Sequence, residues 1–218
     1  MKTSSRYTRG SGTSREAFLR LLAAGLLASS LGACAILGGA DPVQILDPSA
    51  RVVPAADWPQ ARWSLLVPRP IAVQVLDTER IVVRPAPGAL QVYKGAVWSE
   101  TAPDLVHTSL LRAFEDSGRI LSVARPGGAV RGDFQLTSEL RAFDSIYDGA
   151  TPDAVIELHA RLVRTTDGKA VAAKTFRVSE RAGGTDIGTV SEAFSRALAK
   201  LDGQVVAWTL QQGNQSAP

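Results

Sequence analysis

A single cysteine stands in a chain of 218 residues, and it divides what is processed from what folds. Cys34 closes the run Leu31-Gly32-Ala33-Cys34, behind an apolar stretch from Leu21 to Leu31. Lys2, Arg6, Arg9, Arg15 and Arg20, with one acid, Glu16, lie ahead of it. A positive start, a short apolar core and small residues before a cut site form a secretory signal. A branched residue and two small ones before a cysteine make the stricter lipobox. The small pair fits the peptidase, and only a thiol makes the thioether to diacylglycerol. Cleavage is expected before Cys34, with a diacylglycerol on its sulfur and a fatty acyl chain, such as palmitate, on the new amine. A spanning helix is too long for this stretch: it needs about 20 residues, and the run offers about 11.

Removing residues 1–33 changes the charge. Of 24 basic and 21 acidic residues, five and one precede Cys34, so the remainder holds 19 and 20. The basic excess belongs to the leader, and the mature part has no Lys/Arg stripe for nucleic acid. Hydrophobic residues make up 45% of the chain, enough for one average domain with its own core. With one cysteine there is no intrachain disulfide, so packing alone must stabilise the fold. Ala35 follows the cysteine where an inner-membrane retention signal would place Asp, which favours the outer membrane, facing the periplasm of a Gram-negative host.

Four segments are expected: a signal peptide over 1–33, a lipidated cysteine and flexible tether over 34–60, a domain over 61–210, and a disordered tail over 211–218. The tether is rich in Ala, Gly, Pro and Asp; Trp58 and Trp63 at its end are expected to dock on the domain. The fold class expected is α+β, an antiparallel sheet of hairpins and a meander packed by two amphipathic helices. Residues 62–67 and 71–75 form an apolar stretch interrupted by Pro68 and Pro70. Arg80–Arg84 and Ala89–Tyr93 read as a hairpin across Pro85-Ala-Pro-Gly88. Thr101 with Asp104, and Pro103 in the first turn, start a helix that stops at Gly118. Ile120–Ala124 is a short strand. Phe134, Leu136, Ser138, Leu140 and Ala142 alternate with polar residues, as do Ile156, Leu158, Ala160 and Leu162. Asp167-Gly168 turns the chain into Val171–Val178. A last helix spans Asp186 to Leu210, with Ile187, Val190, Phe194, Ala197, Leu198, Leu201, Val205 and Trp208 on one stripe and Asp202 off it.

Catalytic chemistry finds little footing. His107 and His159 are expected on the surface, and no ligand-spaced cluster appears for a metal. Asp144, Asp148 and Asp153 share a loop whose spacing misses the calcium pattern. Residues 183–188 lack the Gly-Lys-Ser/Thr ending of a phosphate loop and read as a turn and N-cap. No Gly-x-Ser-x-Gly elbow is present. Arg80 and Arg84 are expected as rim residues. Tyr93 and Trp98 are expected to pack between hairpin and helix; the alternative for them is an aromatic contact with a partner or lipid chain.

The order of these pieces resembles the ABC-type transport auxiliary lipoprotein family. The matching features are Cys34, Val67-Pro68, Arg80-Ile-Val-Val-Arg84, Tyr93 and Trp98. They continue through Ile120-Leu-Ser-Val123, Arg141-Ala-Phe143-Asp144, the Asp167-Gly168 hairpin and the helix end Val206-Ala-Trp208. The usual Tyr-x-Leu near the mature start is absent, and Trp63-Ser-Leu65 stands nearest to it. The resemblance implies an outer-membrane lipoprotein that serves an intermembrane lipid transport system and is not an enzyme. Its partners would be a mammalian-cell-entry substrate-binding protein with its permease and ATPase, and a homo-oligomer is compatible with such docking. It implies no cofactor beyond the lipid on Cys34. A second reading is a structural or assembly lipoprotein that binds peptidoglycan or an outer-membrane machine. A third is a tethered hydrolase, which the lack of a nucleophile–base pair disfavours.

Overall fold

The computed structural model describes residues 42–128 and 131–217, so Leu31, Gly32, Ala33 and Cys34 lie outside the described residues. Residues Val43–Pro218 gather into one compact unit. Its elements run β1 (Gln44–Leu46), β2 (Ser64–Leu66), β3 (Ile71–Ala72), β4 (Arg80–Arg84), β5 (Gln91–Trp98) and α1 (Ala102–Ser117). They continue with β6 (Ser122–Ala124), β7 (Phe134–Tyr147), β8 (Pro152–Arg164), β9 (Ala170–Arg181) and α2 (Ile187–Ser216).

The long strand β7 is the spine. On one edge it pairs antiparallel with β8, and β8 pairs antiparallel with β9, giving the expected meander. Along its other edge lie β2, β3 and β4 in succession, each parallel to it. Strand β6 adds to β2 in parallel, β5 forms the hairpin with β4, and β1 joins β5 in parallel. The α+β class with two helices stands, but the sheet is mixed. The reason is the crossover. Helix α1 carries the chain back past the sheet before β6 and β7 begin, and such a return produces parallel neighbours.

The alternation on β7 breaks once, at a bulge between Leu140 and Ala142. One extra residue shifts the side-chain phase. Beyond it Phe143, rather than Ala142, meets α2: its ring stacks on Phe194 at 4.7 Å, and Trp98 packs edge-on against both at 5.7 and 5.0 Å. The strand then continues to Tyr147, so the loop expected over Asp144–Asp153 shrinks to the turn between β7 and β8. Asp144 is buried within β7, and Asp153 lies in β8, where Arg181 binds it at 2.6 Å.

Helix α1 starts after Thr101, carries Pro103 in its first turn and stops at Gly118, whose φ of 60° is left-handed. Thr101 does not cap a backbone N–H. Its hydroxyl donates to Asp104 Oδ2 at 2.5 Å instead. Asp186 does cap α2, accepting from the Thr189 N–H at 3.0 Å. This helix runs to Ser216, past the expected end at Leu210. Its last turn is held by Trp63: the indole N–H donates to Asn214 Oδ1 at 2.8 Å, and Asn214 donates to the Gln60 carbonyl at 3.0 Å. Gly213 makes room for that ring, since a Cβ there would overlap it.

Part of the segment expected as a tether over 34–60 is folded. Residues 44–46 form β1, which takes the edge of β5 that would otherwise be open. Trp58 and Trp63 are buried, docked on the domain as anticipated.

Candidate functional site

Of the residues singled out for contact with a partner or lipid, Trp98 is removed by burial: it is 1% exposed, inside the aromatic cluster with Phe143 and Phe194. Tyr93 is half-buried. Its hydroxyl lies 3.0 Å from Ser145 Oγ and 3.5 Å from Tyr147 Oη, and burial pushes its pKa up to about 12. Both aromatics pack against the core, Trp98 within it and Tyr93 at its margin. Arg80 is exposed, as a rim residue should be. Arg84 has a further role, donating from Nε to the buried Asp144 carboxylate at 2.6 Å.

The two histidines divide. His159 lies on the outward phase of β8, its Nδ1 2.9 Å from Thr175 Oγ1. His107 is buried, contrary to the surface position expected for it. Its Nε2 sits 2.8 Å from the Val67 carbonyl, which accepts only, so that nitrogen carries the proton. Burial lowers its pKa and keeps the ring neutral. Among the described residues no group of three or more His, Cys, Asp or Glu could hold a metal ion. Among the same residues no helix is long and apolar enough to cross a membrane.

Sequence reasoning missed two polar clusters at α1. The first tightens its N-terminus. Arg69, placed by the Pro68 and Pro70 bend, donates to Asp104 at 2.6 and 3.0 Å, to Asp77 at 2.5 Å and to Thr101 Oγ1 at 2.8 Å. Its guanidinium holds the Asp104 carboxyl below the usual range, and the two carboxylates raise the pKa of Arg69 in return. The second cluster lies between α1 and α2. Asp202 is fully buried and accepts a short hydrogen bond from Ser109 Oγ, while its Oδ1 has no partner among the described residues. Burial pushes its pKa up to about 7, against the opposing pull of the Ser109 hydrogen bond. Asp202 was expected off the apolar stripe of α2, and α1 is what covers it.

Ser109 also lines a polar recess of about 230 Å³ between α1 and the segment after β1. Asp47, Glu100 and Arg112 share its walls, and Ser99 Oγ donates to Asp47 Oδ1 at 2.7 Å. Two acids, one cation and hydroxyls in an open recess suit polar contacts.

The family model for the ABC-type transport auxiliary lipoprotein component matches residues 44–206, from the first residue of β1 into α2. An uncharacterized protein of Bradyrhizobium diazoefficiens is 30% identical over 167 residues, which are 77% of this chain and 42% of that protein. The chain thus spans less than half of that relative's length. The crystal structure of a protein from Xanthomonas campestris matches with a TM-score of 0.77 and 44% identity, over 80% of this chain and 99% of that one. A second crystal structure, of an uncharacterized protein 12% identical, shares the fold with a TM-score of 0.56, over 68% of this chain and 97% of the other. By the match across residues 44–206, the chain belongs to the ABC-type transport auxiliary lipoprotein component family.

Proposed function

We propose that this protein is a lipid-anchored docking component of an ABC-type system that moves lipid between membranes. It is held by Cys34 in the outer membrane and faces the periplasm. Its partner is the mammalian-cell-entry substrate-binding protein that works with the permease and ATPase. The observation that carries this reading is the family match across 44–206, which begins shortly after the lipobox cysteine. The physical logic is confinement. Acyl chains hold the domain at one leaflet, and stable anchoring takes more than one chain. A confined domain meets a partner at raised effective concentration, so modest contacts suffice.

The test pairs fractionation with co-purification. Exported protein with Cys34→Ala should fold and leave the membrane fraction for the soluble periplasm. Cross-linked native protein should bring down the mammalian-cell-entry protein of the same cell. Retention of Cys34→Ala in outer-membrane fractions would refute the anchor, and capture of cell wall in place of that protein would refute the partner.

A further inference from the structure

We propose that the corner made by β1 and the start of β5 is a lipid-contacting surface, through which Val43, Ile45, Leu90 and Val92 enter the headgroup layer of the membrane. The inference rests on the anchoring of Cys34 proposed above.

These four aliphatic side chains are 58%, 69%, 44% and 37% exposed. They lie on two paired strands or at their starts. In the β1–β5 register Leu46 stands opposite Trp98, a core residue, and Ile45 stands opposite Val97. Successive side chains on a strand alternate between faces. Ile45 is thus turned to the face away from Trp98. The pairing is parallel, with Gln44 opposite Ala96, so Val43 lies toward the half of β5 that begins near Leu90 and Val92. The chain enters the fold at that same end.

The length of chain before β1 selects the occupant. Only residues 35–42 separate Cys34 from Val43. Fully extended, that connection reaches about 30 Å. A tether of ~20 residues, as the composition of 35–60 suggested, would leave the domain free to tumble well clear of the lipid. With β1 folded into the sheet, the corner it forms is held next to the bilayer. Exposed aliphatic groups kept that close meet lipid at high local concentration, and they add a second membrane signal to the acyl anchor.

Hydrogen exchange on the acylated protein in vesicles of phosphatidylethanolamine and phosphatidylglycerol tests this. The comparison is the exported Cys34→Ala protein free in solution. Amides of residues 43–46 and 89–94 should exchange on the order of tenfold more slowly on vesicles, the weight of one buried aliphatic side chain. Those of 170–181 in β9 should be unchanged. Equal rates at 43–46 and 89–94, or slowing spread evenly into β9, would overturn the proposal. So would the same slowing in the free protein as its concentration is raised without lipid, which would make the corner a self-association face. Mass spectrometry of the exported protein reads acylation separately. If Cys34 carries no acyl chain, the anchoring reading fails, and coupling the same thiol to a maleimide phospholipid still lets the docking result be read.

Discussion

Asp202 sits fully buried where α1 packs on α2, with one oxygen held by Ser109 and the other without a partner among the described residues. A carboxyl whose folded pKa is raised binds its proton more tightly in the native state than in the unfolded chain, where its pKa is about 3.9. Between that value and about 7 the native state holds the extra proton, so stability falls as pH rises through this window and levels off above it. The expected loss between about pH 5 and pH 8 is on the order of 2 kcal/mol. Asp202→Asn should remove this slope, and thermal melts across that range will show it; a slope that survives the substitution assigns the pH dependence elsewhere. The sequence held a signal for this residue. Position 202 continues the i, i+4 series Phe194, Leu198, Leu201 and Val205 flank, but the stripe was drawn for one packing surface. Helix α2 packs on both the sheet and α1, so its buried arc is wider. His107 repeats the lesson: it follows Pro103 and precedes Leu110, Leu111 and Phe114 at helical spacing, inside the buried face. Its acceptor, the Val67 carbonyl, comes from a segment forty residues away that no local pattern could supply.

Among the elements, α1 depends at its start on a residue outside it. Asp104 in the first turn suits the positive end of the helix dipole, and Arg69 fixes that carboxylate and Thr101 together. Arg69 and Asp104 are more than a third exposed, so solvent screening discounts the ion pair. Arg69→Ala should cost about 1 kcal/mol in urea unfolding, and less in high salt. The sign on pH follows from the lowered Asp104 pKa. The stabilisation is present above the unfolded carboxyl value and is lost as pH falls through the folded one, so Arg69→Ala should also weaken the acid limb below about pH 4. A variant as stable as the native protein at low salt would show that the dipole alone secures Asp104. Elements with strong periods were legible: the β4–β5 hairpin, α1, the meander and α2 were all read from alternation or helical spacing, although β5 runs over Gln91–Trp98 rather than the expected Ala89–Tyr93 and α2 extends to Ser216. The end of β7 was not, because the bulge at Leu140/Ala142 reverses the alternation and makes Asp144 read as the start of a loop. The parallel pairings of β2 and β3 were not legible either, since strands of three and two residues carry no period at all.

The boundary of the folded unit decides how the anchor and the domain communicate, and it can be tested by truncation. Composition placed that boundary near residue 60, because Ala, Gly, Pro and Asp over 35–60 resemble a linker. The fold instead recruits this segment: β1 closes an edge of β5, the Ser99 N–H donates to the Leu46 carbonyl at 2.8 Å, and Trp58 is buried on the core. A chain that starts at Pro42 should therefore melt as the full mature protein does. A chain that starts at Ala61 loses β1, its hydrogen bonds and Trp58. A buried Trp alone is worth about 3 kcal/mol or more, so this shorter chain should melt lower by roughly 6 °C or more, since 1 kcal/mol shifts a domain of this size by about 2–4 °C. The newly opened edge of β5 should also promote aggregation, which light scattering would report. Equal melting temperatures for the two truncations would mean that residues 43–60 only rest on the domain. The connection from Cys34 would then regain its full length, and the lipid-facing role of β1 would lose its geometric basis.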